Sequence, residues 1–257
     1  MVTIVVPVYN EEKRWDNDYW NNLIHASRIR FIFVNDGSTD KSEIILNSLI
    51  CDSRHEVITL SKNMGKSEAI RVGMLTAIQD LSKQHESVNL IGYLDSDPAF
   101  AVSDILKICE ETKERLQISK VGSNFESVWA SRVALSGRTI VRKKSRHYIG
   151  RIIHSLLGLF IHELPYDSQC GFKIFAKSER LELTLEKPFR TRWFVDLEIL
   201  LRWRNIGIKG RHIESNLKIW EEPLDFWIDV QGSALSLKNF WMVIKEMIYL
   251  IKLSRNK

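Results

Sequence analysis

Arg30-Phe-Ile-Phe-Val-Asn-Asp-Gly-Ser-Thr-Asp-Lys-Ser-Glu-Ile-Ile-Leu-Asn-Ser-Leu49 contains one complete folding unit. The apolar run Arg30–Asn35 reads as a buried strand and Asp36-Gly37 as a tight turn. Lys41–Leu49 reads as a helix that Ser38 or Thr39 can cap. The pattern recurs on both sides. Thr3–Val8, Glu56–Ser61 and Asn89–Leu94 read as further strands, with helices over Tyr19–Ser27 and Lys66–Leu81. In the second of these helices Ala69, Ile70, Gly73, Met74, Ala77, Ile78 and Leu81 form one stripe at helical spacing. This alternation predicts an α/β fold with a mainly parallel central sheet, helices on both faces, and a ligand site outside the carboxyl ends of the strands. Four polar clusters stand at those ends: Pro7-Val-Tyr-Asn-Glu-Glu12, Asn35-Asp-Gly-Ser-Thr-Asp40, Asn63-Met-Gly-Lys66 and Leu94-Asp-Ser-Asp97.

The 257 residues are 44% apolar and carry a net charge of +5, which suits one large domain and argues against global disorder. So modest a charge does not argue for nucleic acid, and the basic residues alternate with apolar helix positions instead of forming a recognition motif. Cys51, Cys109 and Cys170 are widely spaced and read as free thiols of a reducing cytosol, not as disulfides or zinc ligands. The first apolar run is short and lacks the basic leader of a secretory signal. No apolar run approaches the ~20 residues of a bilayer-spanning helix.

Beyond residue 120 the alternation stops. Val128–Arg132 and Gly171–Phe175 read as strands, Phe194–Trp203 as a helix and Arg211–Ser215 as a last strand. Arg132, Arg138, Arg142, Lys143, Lys144, Arg146 and Arg151 fall within twenty residues that contain no acid. Ile149, Ile152, Ile153, Leu156, Leu157 and Phe160 then mark one face of an amphipathic helix. The tail, Leu237–Leu253, has Leu237, Phe240, Trp241, Ile244, Ile248 and Ile251 on one face and Lys238, Lys245 and Lys252 opposite. A main domain over 1–220 followed by an amphipathic basic segment over 221–257 is the expected organisation. Basic residues beside apolar faces, with Phe226, Trp227, Phe240 and Trp241, suit the surface of an anionic membrane. Packing of both faces on the core or on a second subunit is the alternative.

Asp95 and Asp97 are the sharpest chemical signal. Residues i and i+2 of an extended segment point to one side. Two carboxylates so placed suit magnesium or manganese, which is held by one or two carboxylates plus substrate phosphates. A turn capping the following helix is the competing structural explanation. Asp36 can accept hydrogen bonds from a base or ribose, and Tyr9 and Glu11 can flank the same nucleoside. Gly65-Lys66-Ser67 is not a phosphate-binding P-loop, because the first glycine of that motif is replaced by Leu60. A G-x-G-x-x-G after the first strand is also lacking, which argues against a dinucleotide enzyme. Asp167-Ser-Gln-Cys-Gly-Phe-Lys173 can place a carboxylate beside a reacting group or can simply be a turn. Asp196 and Glu198 do not share a helix face, so one is expected to be functional and the other solvated.

Together and in this order VPVYNEE, FVNDGSTDKS, NMGKSEAIRVGM, YLDSDPAF, SRVALSGR, DSQCGFKIF and RWFVDLEIL resemble glycosyltransferase family 2. Within it they resemble the polyprenyl-phosphate sugar transferases, the branch that includes dolichyl-phosphate β-glucosyltransferases. The resemblance covers nearly the whole chain and implies a GT-A type nucleotide-binding sandwich. It implies that Pro7, Tyr9, Glu11, Asp36, Lys66 and Asp95 serve the nucleotide, with Asp95 and Asp97 on Mg2+ or Mn2+. It implies that Arg132 faces the acceptor phosphate, and that Asp167 and Gln169 line the reaction centre. The chain departs from the family pattern at Ser67, where glycine is frequent. It also shows neither the N-terminal nor the C-terminal membrane helices of some relatives. The implied reaction is metal-dependent, inverting transfer of glucose from a uridine diphosphate sugar to a polyprenyl or dolichyl phosphate, by a protein peripheral on the cytoplasmic face of a membrane. Transfer to a hydroxyl of a cell-surface saccharide, with Asp167 as base, and a non-catalytic nucleotide-sugar-binding protein are the alternatives.

Overall fold

The computed structural model describes residues 2–50, 52–81, 89–119, 125–206, 218–230 and 240–255. The expected strand Arg211–Ser215 and residues 237–239 of the tail lie outside the described residues, as do Cys51 and the side chains of Arg146 and Phe240. In chain order the elements are β1 (Val2–Val8), α1 (Asn17–Ala26), β2 (Arg30–Asn35), α2 (Ser42–Leu49), β3 (Glu56–Thr59), α3 (Lys66–Leu81), β4 (Leu90–Leu94) and α4 (Val102–Ser119). The second half contributes β5 (Ser127–Ser131), β6 (Thr139–Val141), α5 (Lys144–Gly158), β7 (Phe172–Ala176), α6 (Glu179–Leu185), α7 (Val195–Asn205), β8 (Ile219–Pro223), β9 (Phe226–Ile228) and α8 (Phe240–Arg255).

Seven strands form one sheet in the order β3-β2-β1-β4-β7-β5-β8. The first four run parallel, β7 is antiparallel to both neighbours, and β5 and β8 are parallel to each other. β6 and β9 make a small second sheet. The period-2 alternation of β1 is visible in its packing. Val5 faces a core built with α3, α6, α7 and α8. Ile4, Val6 and Val8 face the opposite core with Trp20, Leu46 and Ile105. Such burial on both faces explains why the strands read as continuous apolar runs. All five residues of β8 pair with β5, so this strand crosses position 220 without a break.

The two amphipathic helices pack differently from their apolar stripes. On α8 the buried positions among the described side chains are Val243, Glu246 and Leu250, whereas Trp241 and Ile248 of the apolar stripe are exposed. Among the described side chains of α5 only Leu157 is buried; Ile149, Ile152 and Leu156 face outward with Tyr148, as does Phe160 just beyond the helix.

Candidate active site

The first two polar clusters are knitted into one platform. Asn10, in the left-handed region at φ 53°, accepts from the Thr39 amide at 2.8 Å and donates its own amide to Ser38 Oγ at 3.0 Å. The Glu11 amide donates to Ser42 Oγ and the Glu12 amide to Asp40 Oδ2. Ser38 and Thr39 are therefore not the caps of α2; Asp40 takes the Ser42 amide instead, at 3.0 Å. Asp36 binds the third cluster, accepting from the amides of Met64 at 2.6 Å and Gly65 at 2.8 Å. Gly37 sits at φ +64°, and a Cβ there would lie 2.5 Å from the backbone of Lys62. Of the residues expected at the nucleoside, Pro7 is buried inside β1 and Tyr9 is exposed at the rim. Glu11 is buried against Arg14, and burial raises its pKa despite that partner.

Asp95 and Asp97 follow β4 at the mouth of a cavity of about 620 Å³. The Asp95 amide donates to the Gly171 carbonyl at 2.9 Å, and its carboxylate lies directly over Gly171, where a Cβ would fall 2.1 Å from Oδ2. Lys66 Nζ stands 2.5 Å from Asp95 Oδ1. Burial would lower the lysine pKa, but Asp95, Asp196 and Asp97 outweigh it and hold it above its ordinary value. Trp20 Nε1 fixes the turn by donating to the Ser96 carbonyl at 3.1 Å. Burial, followed by the adjacent Asp95 charge, pushes Asp97 up to about 6. Two crowded carboxylates, one driven toward protonation, are a donor set that a hard divalent cation would relieve. Among the described residues no group of three or more His, Cys, Asp or Glu is placed to hold a metal, so further ligands would come from phosphate or water.

On the opposite wall Asp167 is gripped by two arginines. Arg132 makes paired contacts at 2.7 Å and adds its backbone amide at 2.9 Å; Arg142 reaches the same carboxylate at 3.0 Å. Burial opposes ionisation, yet the two guanidinium groups keep this carboxyl well below the usual carboxylate range. Trp227 of β9 lies under both, 5.2 Å and 5.9 Å from their guanidinium carbons. Gln169 lines the same cavity. All the sequence-predicted site residues except Pro7, Tyr9, Glu11 and Asp36 line this cavity; those four lie on the adjoining strand-end platform.

One buried ion pair escapes a reading of the sequence. Lys173, wholly buried in β7, donates to the Cys170 carbonyl and pairs with Asp196 at 2.7 Å; Asp196 also accepts from the Tyr93 hydroxyl. Neither member of the pair Asp196 and Glu198 is solvated, against the expectation for one of them, and Glu198 lies deeper. It is fully buried and accepts from the Thr191 amide at 2.8 Å, from Arg202 and from the Tyr249 hydroxyl. A lysine in the polar-to-apolar step Gly171-Phe-Lys-Ile174 is the one available signal, since a strand buried on both faces admits a charge only with a partner.

Residues 3–122 match the family model described as Glycosyl transferase family 2. A dolichyl-phosphate beta-glucosyltransferase of Trichomonas vaginalis is 28% identical over 96% of this chain and 72% of its own. Its counterparts from Saccharomyces cerevisiae (27%, 99% of this chain and 77% of theirs) and Homo sapiens (26%, 98% and 75%) are similar. Among solved structures, glucosyl-3-phosphoglycerate synthase from Mycobacterium tuberculosis, in complex with Mn2+, UDP and glucosyl-3-phosphoglycerate, has the same fold. It superposes with a TM-score of 0.58 at 14% identity, over 98% of this chain and 78% of that one. The α/β architecture is thus of the GT-A type, residues 3–122 are a glycosyltransferase family 2 domain, and the chain is a glycosyltransferase.

Proposed function

We propose that the protein transfers glucose, with inversion, from uridine diphosphate glucose to a polyprenyl or dolichyl phosphate at the cytoplasmic surface of a membrane. The observation that carries this reading is the Arg132–Asp167–Arg142 wall. Two cations meet one carboxylate there, in the same cavity of about 620 Å³ that Asp95 and Asp97 line. A lipid phosphate has a second pKa near ~6, so its oxygen is already anionic at neutral pH. Such an acceptor needs positioning and charge screening, not a base. Asp167 suits that arrangement, because a carboxylate held this strongly ionised is a poor proton acceptor.

On the donor side Asp95 and Asp97 would hold Mg2+ or Mn2+, which would supply charge neutralisation for the departing diphosphate. Lys66 would add a second positive charge, while Asp36, Glu11 and Tyr9 would seat the nucleoside. The names of the relatives support glucose and dolichyl phosphate, and the neighbour crystallised with Mn2+ and UDP supports the donor. The outward apolar residues of α5, next to the cavity they partly line, support a lipid surface as the source of the acceptor. Among the described residues no helix is long and apolar enough to cross a membrane, so contact would be peripheral. The test is a panel of nucleotide sugars incubated with polyprenyl phosphate and either metal. Label should enter the organic phase from uridine diphosphate glucose; label recovered only in water-soluble saccharide would overturn the acceptor.

A further inference from the structure

The segment Arg190–Trp193 approaches the cavity with four successive backbone amides bound by two buried carboxylates. Glu198 of α7, fully buried, accepts from Arg190 at 3.1 Å and Thr191 at 2.8 Å. Glu246 of α8, 6% exposed, accepts from Arg192 at 2.8 Å and Trp193 at 3.2 Å. A buried carboxylate is costly unless its oxygens are satisfied, and these oxygens are satisfied by this segment. What the segment carries is functional in position. Trp193 and Phe194 line the cavity. The Arg192 side chain turns the other way, donates to Asn63 Oδ1 and crowds Gly65, whose Cβ position is 2.8 Å from Nε. Asn63 and Gly65 belong to the loop whose amides Asp36 binds.

We propose that Glu246 is a positioning residue through which the C-terminal helix α8 sets the Asn63–Lys66 loop and hence donor affinity. The path is short: Glu246 fixes the Arg192 backbone, Arg192 fixes Asn63 and Gly65, and the loop completes the donor platform. The proposal rests on the reading of that platform as the nucleotide site. It assigns to α8 a role that its exposed Trp241 does not suggest.

Glu246→Gln keeps the size of the side chain but turns an acceptor oxygen into a donor that opposes an amide. Hydrogen exchange on the full chain should then quicken at Arg192 and Trp193 by about tenfold, the effect of losing a buried hydrogen bond to a charged group. Exchange at Met64 and Gly65 should quicken with it, while Arg190 and Thr191, held by Glu198, stay protected. Affinity for uridine diphosphate should fall by about fivefold, a typical coupling between sites. Arg192→Gln, at an exposed side chain, should weaken the nucleotide similarly, and the double variant should add little to either. Leu250→Ala loosens α8 without touching the segment and should leave nucleotide affinity and loop exchange unchanged. Unaltered exchange at Met64 and Gly65 in Glu246→Gln overturns the proposal, as do fully additive effects of the two variants or an equal loss in Leu250→Ala. If the unaltered protein binds no uridine diphosphate, the nucleotide reading fails instead, and the exchange at Met64 and Gly65 still decides the coupling.

Discussion

The two walls of the cavity are built by opposite means. The donor wall is made of strand ends. Asp36 and Asp95 each follow a parallel strand; the Asp36 carboxylate accepts two amides of the loop beyond β3, and the Asp95 amide donates to the Gly171 carbonyl just before β7. The acceptor wall is made of side-chain charge. Arg132, Arg142 and Asp167 come from loops 35 residues or less apart in sequence and are held by one another and by Trp227. The contrast teaches that the strand-end carboxylates are placed by topology, whereas the Arg132–Asp167–Arg142 cluster is placed by ion pairs that topology merely permits.

The largest expected effects separate the walls. Asp97→Ala should lower transfer by about a thousandfold, in the range of lost charge stabilisation at a reacting centre. Arg132→Ala should lower it by about a hundredfold yet leave nucleotide affinity within about twofold of the parent. Initial rates and calorimetric nucleotide binding check both, and a loss of nucleotide affinity in Arg132→Ala would erase the division. Gly171→Ala crosses it. The added methyl must displace the Asp95 carboxylate, so a change on the acceptor strand should weaken donor binding by about tenfold, as a misplacement of this size can. Normal donor binding in that variant would mean that Asp95 tolerates the shift.

Outside the cavity the effects are smaller. Ile152→Ser together with Trp241→Ser removes apolar surface from α5 and α8, and should weaken co-sedimentation with anionic vesicles by about tenfold. Equal recovery of the parent protein with and without vesicles would refute surface binding. The smallest effect concerns His55, beside β3. Its buried Nδ1 accepts the Phe31 amide at 3.1 Å, and burial lowers its pKa below the usual 6.5. The unfolded chain therefore binds a proton that the folded chain resists. This contribution to stability is present in full above the unfolded pKa and is lost as pH falls from there through the lower folded pKa. Thermal melts should decline below about pH 6.5, more shallowly in His55→Gln; identical slopes would exclude His55 as the cause.

The first half of the fold was legible because each unit is local. β2 and α3 begin and end where periodicity places them, and Asp36, Asp95 and Asp97 follow from strand ends alone. The other half was read only in outline. β6, β9 and α6 are three to seven residues long and owe their existence to distant partners, such as Trp227 bridging to Phe100. On α8 the buried face carries an acid, Glu246, which the stripe does not announce; only the amides of a segment more than fifty residues earlier make that position tolerable. The expectation that one of Asp196 and Glu198 is solvated fails for the same reason, since both are buried on polar partners.

The central claim is that the acceptor arrives already ionised and that the protein supplies no base for it. Initial rates with polyprenyl phosphate and with the unphosphorylated polyprenol, each with uridine diphosphate glucose and Mn2+, test it directly. Transfer to the phosphate with a rate that climbs through the acceptor's second pKa near ~6 and then levels, and none to the alcohol, is the predicted result. Comparable transfer to the alcohol would contradict it.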